Sequence, residues 1–496
     1  MRGHLHTRTV KTASGKRAVQ VVRYSGKKRE IVKHIGSADT ENSFRALEST
    51  AVRYIEEHNP QTPLFQSSRR LVDLDHLRLE HVSHLFAREK LHACAQACGL
   101  SFLHPLYLDL ACMRIIEPSS KLRAIDLLRR HFNVVYSERT VYRLLRQFVS
   151  EKETVERAAS ALCAPGSRAV LLYDVTTLYF ETHAEDDTIR ARGFSKDSKV
   201  QQPQIVVGLL VSREGIPLRH DVWKGNTFEG HTMLPALDAY AKEHGEKPVV
   251  VADAAMLSRE NIGKLEGGGY SYIVGARLGN LPPALLLRIT QELPKEDGAI
   301  RRFSTDRGDL VVAFSEKRCK KDLGDMRRQW KRAEQLVSRC ESGRRAKFVR
   351  KDGGGYCLDD NLKHKAELLA GLKGYHTNIL ETVLSSTAII ERYRDLWKVE
   401  SSFRMAKSDL ATRTIFHRVE DAVRSHVLLC FVSLVMFAFL ERNTGLSARR
   451  IRDILWNVSE AHLHDTLTGE THVLRSSLEE YRASRLFTLL DEQKTH

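Results

Sequence analysis

A chain of 496 residues can bury several cores, and 42% hydrophobic against 28% charged residues excludes large-scale disorder, so two to four globular domains are expected. A net charge of +16 favours a polyanionic partner, of which nucleic acid is the commonest. The eight cysteines (94, 98, 112, 163, 319, 340, 357 and 430) are scattered through apolar or helical contexts, which argues against a disulfide framework and for reduced thiols in a cytosol. Cys94 and Cys98 are four apart with no second pair at zinc-site spacing, and read as core packing.

In chain order, MRGHLHTRTV lacks the apolar core of a signal peptide. The first 36 residues hold ten Lys/Arg against one acid, Glu30, and the alternating runs VQVVRY and REIVKHIG around Ser25-Gly26-Lys27 predict a basic β-hairpin. A helix over about 42–58 follows, then a Pro60–Pro63 linker. Residues 68–163 carry helical periodicity throughout. Pro118-Ser119 opens one helix there. Ser137 caps another, whose Val141, Leu144, Leu145 and Phe148 face inward while Arg139, Arg143 and Arg146 share the opposite face. Two short helices joined near Asn133–Tyr136, with arginines on the second, are compatible with helix-turn-helix DNA binding; a plain helical hairpin with a solvated basic face is the alternative.

From 168 the texture becomes α/β. Ala169–Tyr173 is an apolar strand ending on Asp174, Ile205–Val211 a second, and 218–224 a third after the turn at Gly215-Ile216-Pro217. A helix over His231–His244 precedes the strand Pro248–Ala252, which ends on Asp253; a helix near 258–266 and a strand Tyr270–Gly275 complete the run. Apolar strands alternating with helices imply a mixed sheet covered on both faces. Segment 301–350, with 16 Lys/Arg against seven Asp/Glu, reads as an inserted basic module with a strand VVAFS, a long helix around 320–340 and a turn at Gly353–Gly355. Tyr375–Leu380 leads back to the main fold as a strand. The apolar run Val427–Leu440 has 14 residues, too few for a bilayer, and is expected to be a buried helix; no membrane is expected as a partner.

The segment YRDLWKVESSFRMAK, residues 393–407, holds the third acid of interest. Read as one helix, Leu396, Val399, Phe403, Ala406 and Leu410 form a buried stripe. Tyr393, Glu400 and Lys407, seven apart, form a second line on its shoulder that drifts only about 20° per step. Strand ends are where α/β folds place their chemistry, so Asp174, Asp253 and Glu400 become a candidate set. Three carboxylates in one cleft repel unless cations sit among them, and hard oxygen donors select Mg²⁺, with Mn²⁺ as an alternative. Two such ions support in-line displacement at phosphorus.

The strand order with acids after strands 1 and 4 and on a late helix resembles the ribonuclease H-like fold. The phrases LLYDVTTLYFET, GNTFEGHTMLPAL, VVVADAAMLSREN and YRDLWKVESSFRMAKSDLATRTIFHRVEDAVRSHV are similar to those of bacterial insertion-sequence DDE transposases, of the branch with a β-rich insertion between the second Asp and the Glu. The resemblance covers roughly residues 168–440. It implies an α/β, ribonuclease H-like mixed sheet with helices on both faces, an inserted basic β-rich module and a helical N-terminal DNA-binding region. The domains implied are a basic β-hairpin and helix (1–62), a helical helix-turn-helix domain (66–163), the first part of the catalytic domain (168–275), the insertion (276–376), the second catalytic part with the glutamate (377–445) and a C-terminal helical region (446–496).

By the same resemblance Asp174, Asp253 and Glu400 are the metal-binding catalytic triad, holding two Mg²⁺ ions. Tyr393 and Lys407 contact the DNA backbone near the cut, and Asn226 and Thr227 position the strand, with turn capping as the alternative for that pair. The branch's signature has an arginine where Leu396 stands; Arg394 and Arg404 are the nearest substitutes, though helix geometry puts neither at that position. The implied activity is cleavage at an element's terminal inverted repeats and joining of the freed 3′-OH to target DNA, by a homodimer in the cytoplasm at the nucleoid. A structure-specific nuclease or resolvase of the same fold, and a non-catalytic DNA-binding regulator, are the alternatives; retention of all three acids and Lys407 argues against the regulator. His417 and His426 read as structural histidines, and His462-Leu463-His464-Asp465 as surface polar residues rather than a metal site.

Overall fold

The computed structural model describes residues 5–26, 28–58, 74–181, 189–194, 201–256, 258–306, 308–338, 346–352, 355–413 and 415–491. The Pro60–Pro63 linker, Lys27, Cys340 and the pair Gly353-Gly354 lie outside the described residues. The chain forms two compact units.

The first unit comprises residues 1–83 with 459–476. Its basic N-terminal segment is three-stranded: β1 (Leu5–Lys11), β2 (Arg17–Ser25) and β3 (Lys28–Ala38) pair in order, adding a strand to the expected hairpin. Val19 and Val21 alternate onto one face and bury with Phe44 and Ala51 of α1 (Glu41–His58). In a second sheet β4 (Leu77–Ser83) pairs with Glu460–Asp465 from the far end of the chain, which pairs in turn with Thr471–Arg475. Helix throughout 68–163 and 446–496 is therefore corrected at these strands. Their ladder partners are remote, Ser83 and Glu460 being 377 positions apart, and local periodicity does not report such pairing. His462 stacks on His81 at 4.1 Å between ring centroids, and Asp465 accepts the amides of Leu467 and Thr468, so this segment builds a sheet and its turn.

The second unit comprises residues 84–458 with 477–496. It opens with α2 (Leu85–Ala97), α3 (Pro105–Ile116), α4 (Lys121–Phe132), α5 (Glu138–Gln147) and α6 (Lys152–Ala161). The cap of α4 is Ser120, which accepts the Arg123 amide, so the helix starts just after the expected Pro118-Ser119. Cys94, Cys98 and Cys112 are buried in the shared core, and burial pushes the thiols of Cys94 and Cys112 up. Fully buried Asp109 on α3 accepts from Arg88 Nε at 2.7 Å, His92 Nε2 at 2.8 Å and the Tyr136 hydroxyl at 2.8 Å, tying α2 and the α4–α5 turn to α3.

The remaining strands are β5 (Val170–Tyr179), β6 (Gln204–Ser212), β7 (Pro217–Lys224), β8 (Val249–Ala252), β9 (Tyr272–Ala276), β10 (Ile300–Thr305), β11 (Gly308–Phe314), β12 (Val349–Asp352), β13 (Gly355–Leu358) and β14 (Leu372–Thr377). Eight of them form one mixed sheet in the order β10-β11-β14-β9-β8-β5-β6-β7. Only β5–β8 and β8–β9 pair in parallel. β5–β9 form a meander followed by two parallel crossovers, the strand order expected of a ribonuclease H-like core. The insertion is not a detached module: β10, β11 and β14 extend the same sheet, and only the β12–β13 hairpin stands apart.

Helices cover both faces, as the apolar strands require. Leu171, Tyr173, Val250, Ala252 and Tyr272 pack under α7 (Met233–His244) and α8 (Arg259–Gly267). Leu172, Val251, Ile273 and Tyr375 face the opposite layer. That layer holds α12 (Ser386–Arg394), α13 (Trp397–Arg404) and α14 (Glu420–Thr444), numbered after α9 (Pro283–Glu292), α10 (Glu316–Ser338) and α11 (Asp360–Leu369) of the insertion. By length and composition α14 could cross a bilayer, but 83% of its apolar window is buried inside the unit. α15 (Ala448–Trp456) follows α14.

Between α3–α4 and α14 lies a buried basic cluster. Lys121 Nζ sits 3.3 Å from Nδ1 of His426, and Arg114 donates to the carbonyls of Leu410 and Ser119. Burial, with Lys121 and Arg114 nearby, lowers the imidazole of His417 to about 4 from 6.5, and His426 shifts the same way. The unfolded chain then binds more protons between about pH 4 and 6.5, so folding stability is expected to fall as pH drops through that window. Denaturant midpoints measured across it should decline less steeply in His417→Gln. A second expectation concerns Asp109: the Asp109→Ala protein should lose about 3–5 kcal/mol in denaturant unfolding, because it strands Arg88 and removes the anchor of Tyr136.

Candidate active site

The register of two parallel strands places the first two acids. Tyr173 is paired with Ala252, so Asp174 and Asp253 are the next residues on neighbouring strands, with backbones about 4.8 Å apart. Side chains alternate across a sheet: Tyr173 and Ala252 point towards α7 and α8, so both aspartates belong to the α13 face. Asp174 is not at a strand end, because β5 continues to Tyr179 by pairing with β6. The strand end expected from the sequence exists only for the parallel pair, where β8 stops at Ala252. Asp174 Oδ1 accepts the Val175 amide at 2.8 Å, and Asp253 Oδ1 accepts the Ala254 amide at 2.7 Å.

The segment expected to be one helix is three pieces. α12 ends at Arg394, a corner at Asp395-Leu396 follows, and α13 gives way to a π-helical turn over Met405–Asp409. Asp395 holds the corner by pairing with Lys398 at 2.8 Å and Arg213 at 3.2 Å. The carbonyls at the far end are held by two arginines from other helices: Arg114 donates to Leu410 O and Arg452 to Asp409 O, at 2.7 and 3.0 Å. The buried stripe survives, with Leu396, Val399, Phe403 and Leu410 in the core and Ala406 half-buried. Leu396 thus points inward, which suits an apolar side chain and removes that position from any nucleic-acid contact.

The shoulder line does not survive as a continuous surface. Tyr393 is 7% exposed, and its hydroxyl donates to Asp253 Oδ1 at 3.3 Å. Burial and the adjacent Asp253 charge push this phenol up, keeping it a donor. The Tyr393 hydroxyl thus meets a carboxylate of the candidate set. Glu400 is exposed on α13, which packs across β5 and β6 on the aspartate face. Arg404, one turn on, is also exposed. Lys407 is half-buried in the π-helical turn and lines a 40 Å³ apolar cavity with Thr176, two residues past Asp174 on the same face of β5.

The other predicted residues stand elsewhere. Arg139, Arg143 and Arg146 are exposed on α5, as the periodicity predicts; Ser137 caps that helix, and Asn133 turns the chain in the left-handed region at φ 54°. Asn226 is exposed in the turn after β7, where the Thr227 amide bonds the Lys224 carbonyl.

Two contributors were not found from the sequence. Gly275 lies against the Tyr393 phenol: a β-carbon there would stand 2.5 Å from its oxygen and 3.2 Å from its Cζ. Lys373 is the second residue of β14, and its ammonium lies 4.6 Å from the Tyr393 ring centroid. It is half-buried; desolvation and then Arg318 lower its pKa, while Asp253 and Glu400 oppose the shift. The sequence placed this strand at Tyr375–Leu380, whereas β14 starts at Leu372, so Lys373 lay outside the expected strand; nothing local says that it lines a cavity with an aspartate 120 positions earlier.

Carboxylate oxygens from three elements on one face suit a hard divalent cation. Among the described residues no group of three or more His, Cys, Asp or Glu side chains stands close enough to hold an ion, so the acids share a face without closing a coordination shell. A 490 Å³ cavity opens beside Asp253 and Tyr393 between the sheet and α10.

A family model for the transposase DDE domain matches residues 165–436, more than half of the chain. No curated protein matches it. Among solved structures it is similar to a piggyBac transposase synaptic complex with hairpin DNA, studied by cryo-electron microscopy, with a TM-score of 0.36 and 11% identity over 75% of this chain and 77% of that one.

The Gly275–Tyr393 contact is testable by a double-mutant cycle. Gly275→Ala should cost about 1–3 kcal/mol in denaturant unfolding, and Tyr393→Phe, which removes the clashing oxygen, should recover part of it in the double variant. Strict additivity would mean that the two residues do not touch.

Proposed function

Since the chain belongs to the transposase DDE domain family, we propose that it cleaves DNA at the ends of a mobile element and joins the freed 3′-OH to target DNA, with Asp174, Asp253 and Glu400 as its catalytic carboxylates. The observation that carries this reading is the Tyr173–Ala252 register, which sets two aspartates side by side on the sheet face that α13 crosses with Glu400.

Each residue has a role that its placement supports. Asp174 lies within β5 and Asp253 directly follows β8, the strand paired in parallel with it. Tyr393 fixes the rotamer of Asp253 through its hydroxyl. Glu400 closes the site from a helix whose two ends are held by Asp395 and by Arg114 with Arg452. These three acids would hold two Mg²⁺ ions, which when bound neutralise developing charge on the attacking and leaving oxygens. Arg404, exposed one turn beyond Glu400, and Lys407 offer cations to the phosphate backbone.

Binding to element ends is assigned to the exposed α5 arginines Arg139, Arg143 and Arg146, where α4 and α5 form a helix-turn-helix-like pair. Asn226 is proposed to steady a strand at the margin of the site. The reaction is expected in a homodimer bound to two DNA ends.

The test is to incubate the protein with labelled element ends and a plasmid target in Mg²⁺, comparing wild type with Glu400→Gln. Joined products from the wild type alone, with unchanged end binding by the variant, are expected. Cleavage without joining would replace this reading with that of a structure-specific nuclease. Binding without cleavage by either protein would leave only a DNA-binding role.

A further inference from the structure

The lysine at the head of β14 stands in a place that neither strand pattern nor family motif singled out. β14 runs antiparallel to β9, with Gly374 paired to Ala276, so its first residues sit at the end of the sheet where β5 and β8 present their aspartates. Alternation fixes its face. Tyr375 packs in the core on the α12–α13 side, and Lys373, two residues earlier, faces the same way. Lys373 is thus on the aspartate face, two strands or about 10 Å of backbone from β8, a gap that a lysine side chain largely spans.

Its surroundings among the described residues offer the charge the rings of Tyr393 and Tyr375 but no acceptor. The ammonium lies 4.6 Å from the Tyr393 ring centroid, and the residue lines the 490 Å³ cavity with Asp253 and Tyr393. Among the described residues Lys373 makes no hydrogen bond and no ion pair, although it is half-buried. A partly desolvated ammonium without an acceptor is costly, and an incoming anion would relieve it. Asp253 and Glu400 are near enough to act on it electrostatically but form no salt bridge with it. Lys373 and Asp253 line one cavity, while Glu400 is exposed on α13.

We propose that Lys373 is a further catalytic residue, whose ammonium binds a non-bridging oxygen of the phosphodiester attacked beside Asp253 and Glu400. The inference rests on the function proposed above and adds a cation supplied by the insertion. Negative charge accumulates on the non-bridging oxygens as phosphorus is attacked, and a cation fixed there before DNA arrives stabilises it without reorganising. The same arrangement explains why β14 belongs to the central sheet: a loop-borne insertion would not hold the lysine at a fixed distance from β8.

The experiment measures single-turnover cleavage of element ends at saturating protein for wild type, Lys373→Met and Lys373→Arg, with thermal unfolding and end binding measured in parallel. Each protein is also given substrates carrying an Rp or Sp phosphorothioate at the scissile position. Lys373→Met should fold and bind normally yet cleave roughly 100-fold more slowly, with Lys373→Arg recovering part of the rate. The rate penalty of one phosphorothioate diastereomer should shrink towards unity in Lys373→Met, because the contact that sulfur disrupts is already gone.

Wild-type cleavage by Lys373→Met would overturn the proposal while leaving the carboxylate site intact. A slow variant with an unchanged phosphorothioate effect would also overturn it, and make Lys373 a support for Tyr393 alone. If Lys373→Met does not fold, Lys373→Arg carries the same phosphorothioate comparison. Absence of cleavage by the wild type would remove the functional reading and this inference together.

Discussion

The parallel pairing of β5 with β8 is the constraint from which the site follows. One residue of register slip would send Asp174 to the opposite face from Asp253, since side chains alternate. The slip is prevented by burial: Leu171, Tyr173, Val250 and Ala252 fill one layer, while Leu172 and Val251 fill the other. Two-sided apolar packing therefore fixes the relative position of two charged residues that make no contribution to the core themselves.

Onto that pair the chain brings groups from far along its length. α13 reaches the face through Leu396, Val399 and Phe403, and its ends are fixed by ionic and carbonyl contacts rather than by helix propensity. The corner at Asp395 rotates Tyr393 inward onto Asp253 and leaves Glu400 outward. A straight helix would have placed the two on nearly one line, and Tyr393 would have had no carboxylate to hold. Gly275 is the small residue that makes room for its phenol.

The insertion changes character once its strands are paired. Its composition marks it as basic and separate, yet β10, β11 and β14 continue the central sheet, so its charges are delivered to the edge of the carboxylate site. α10 and α11 then wall the cavity beside Asp253, which Arg318, Lys347 and Lys373 line together with Asp322 and Asp325. The cavity is mixed in charge: Arg318 pairs with Asp322, whereas Lys373 meets aromatic rings and, among the described residues, no carboxylate.

Element types were legible wherever burial follows a local period. The apolar strands, the amphipathic α5 with its three exposed arginines, the Ser137 cap and the stripe Leu396–Leu410 all follow from side chains a few residues apart. Asp174, Asp253 and Glu400 stood out because they punctuate such patterns, and the family phrases around them agree with the matched DDE domain. What local pattern could not carry is pairing across long separations: β4 with a strand some 380 residues later, the insertion with the central sheet, Lys373 with Tyr393, and Arg114 and Arg452 with the end of the π-helical turn. The sequence determined which residues are buried and which carry charge, because each depends on the residue itself and its near neighbours. Only the tertiary structure decided which charges meet, because that depends on strand register and on helix ends anchored from elsewhere in the chain.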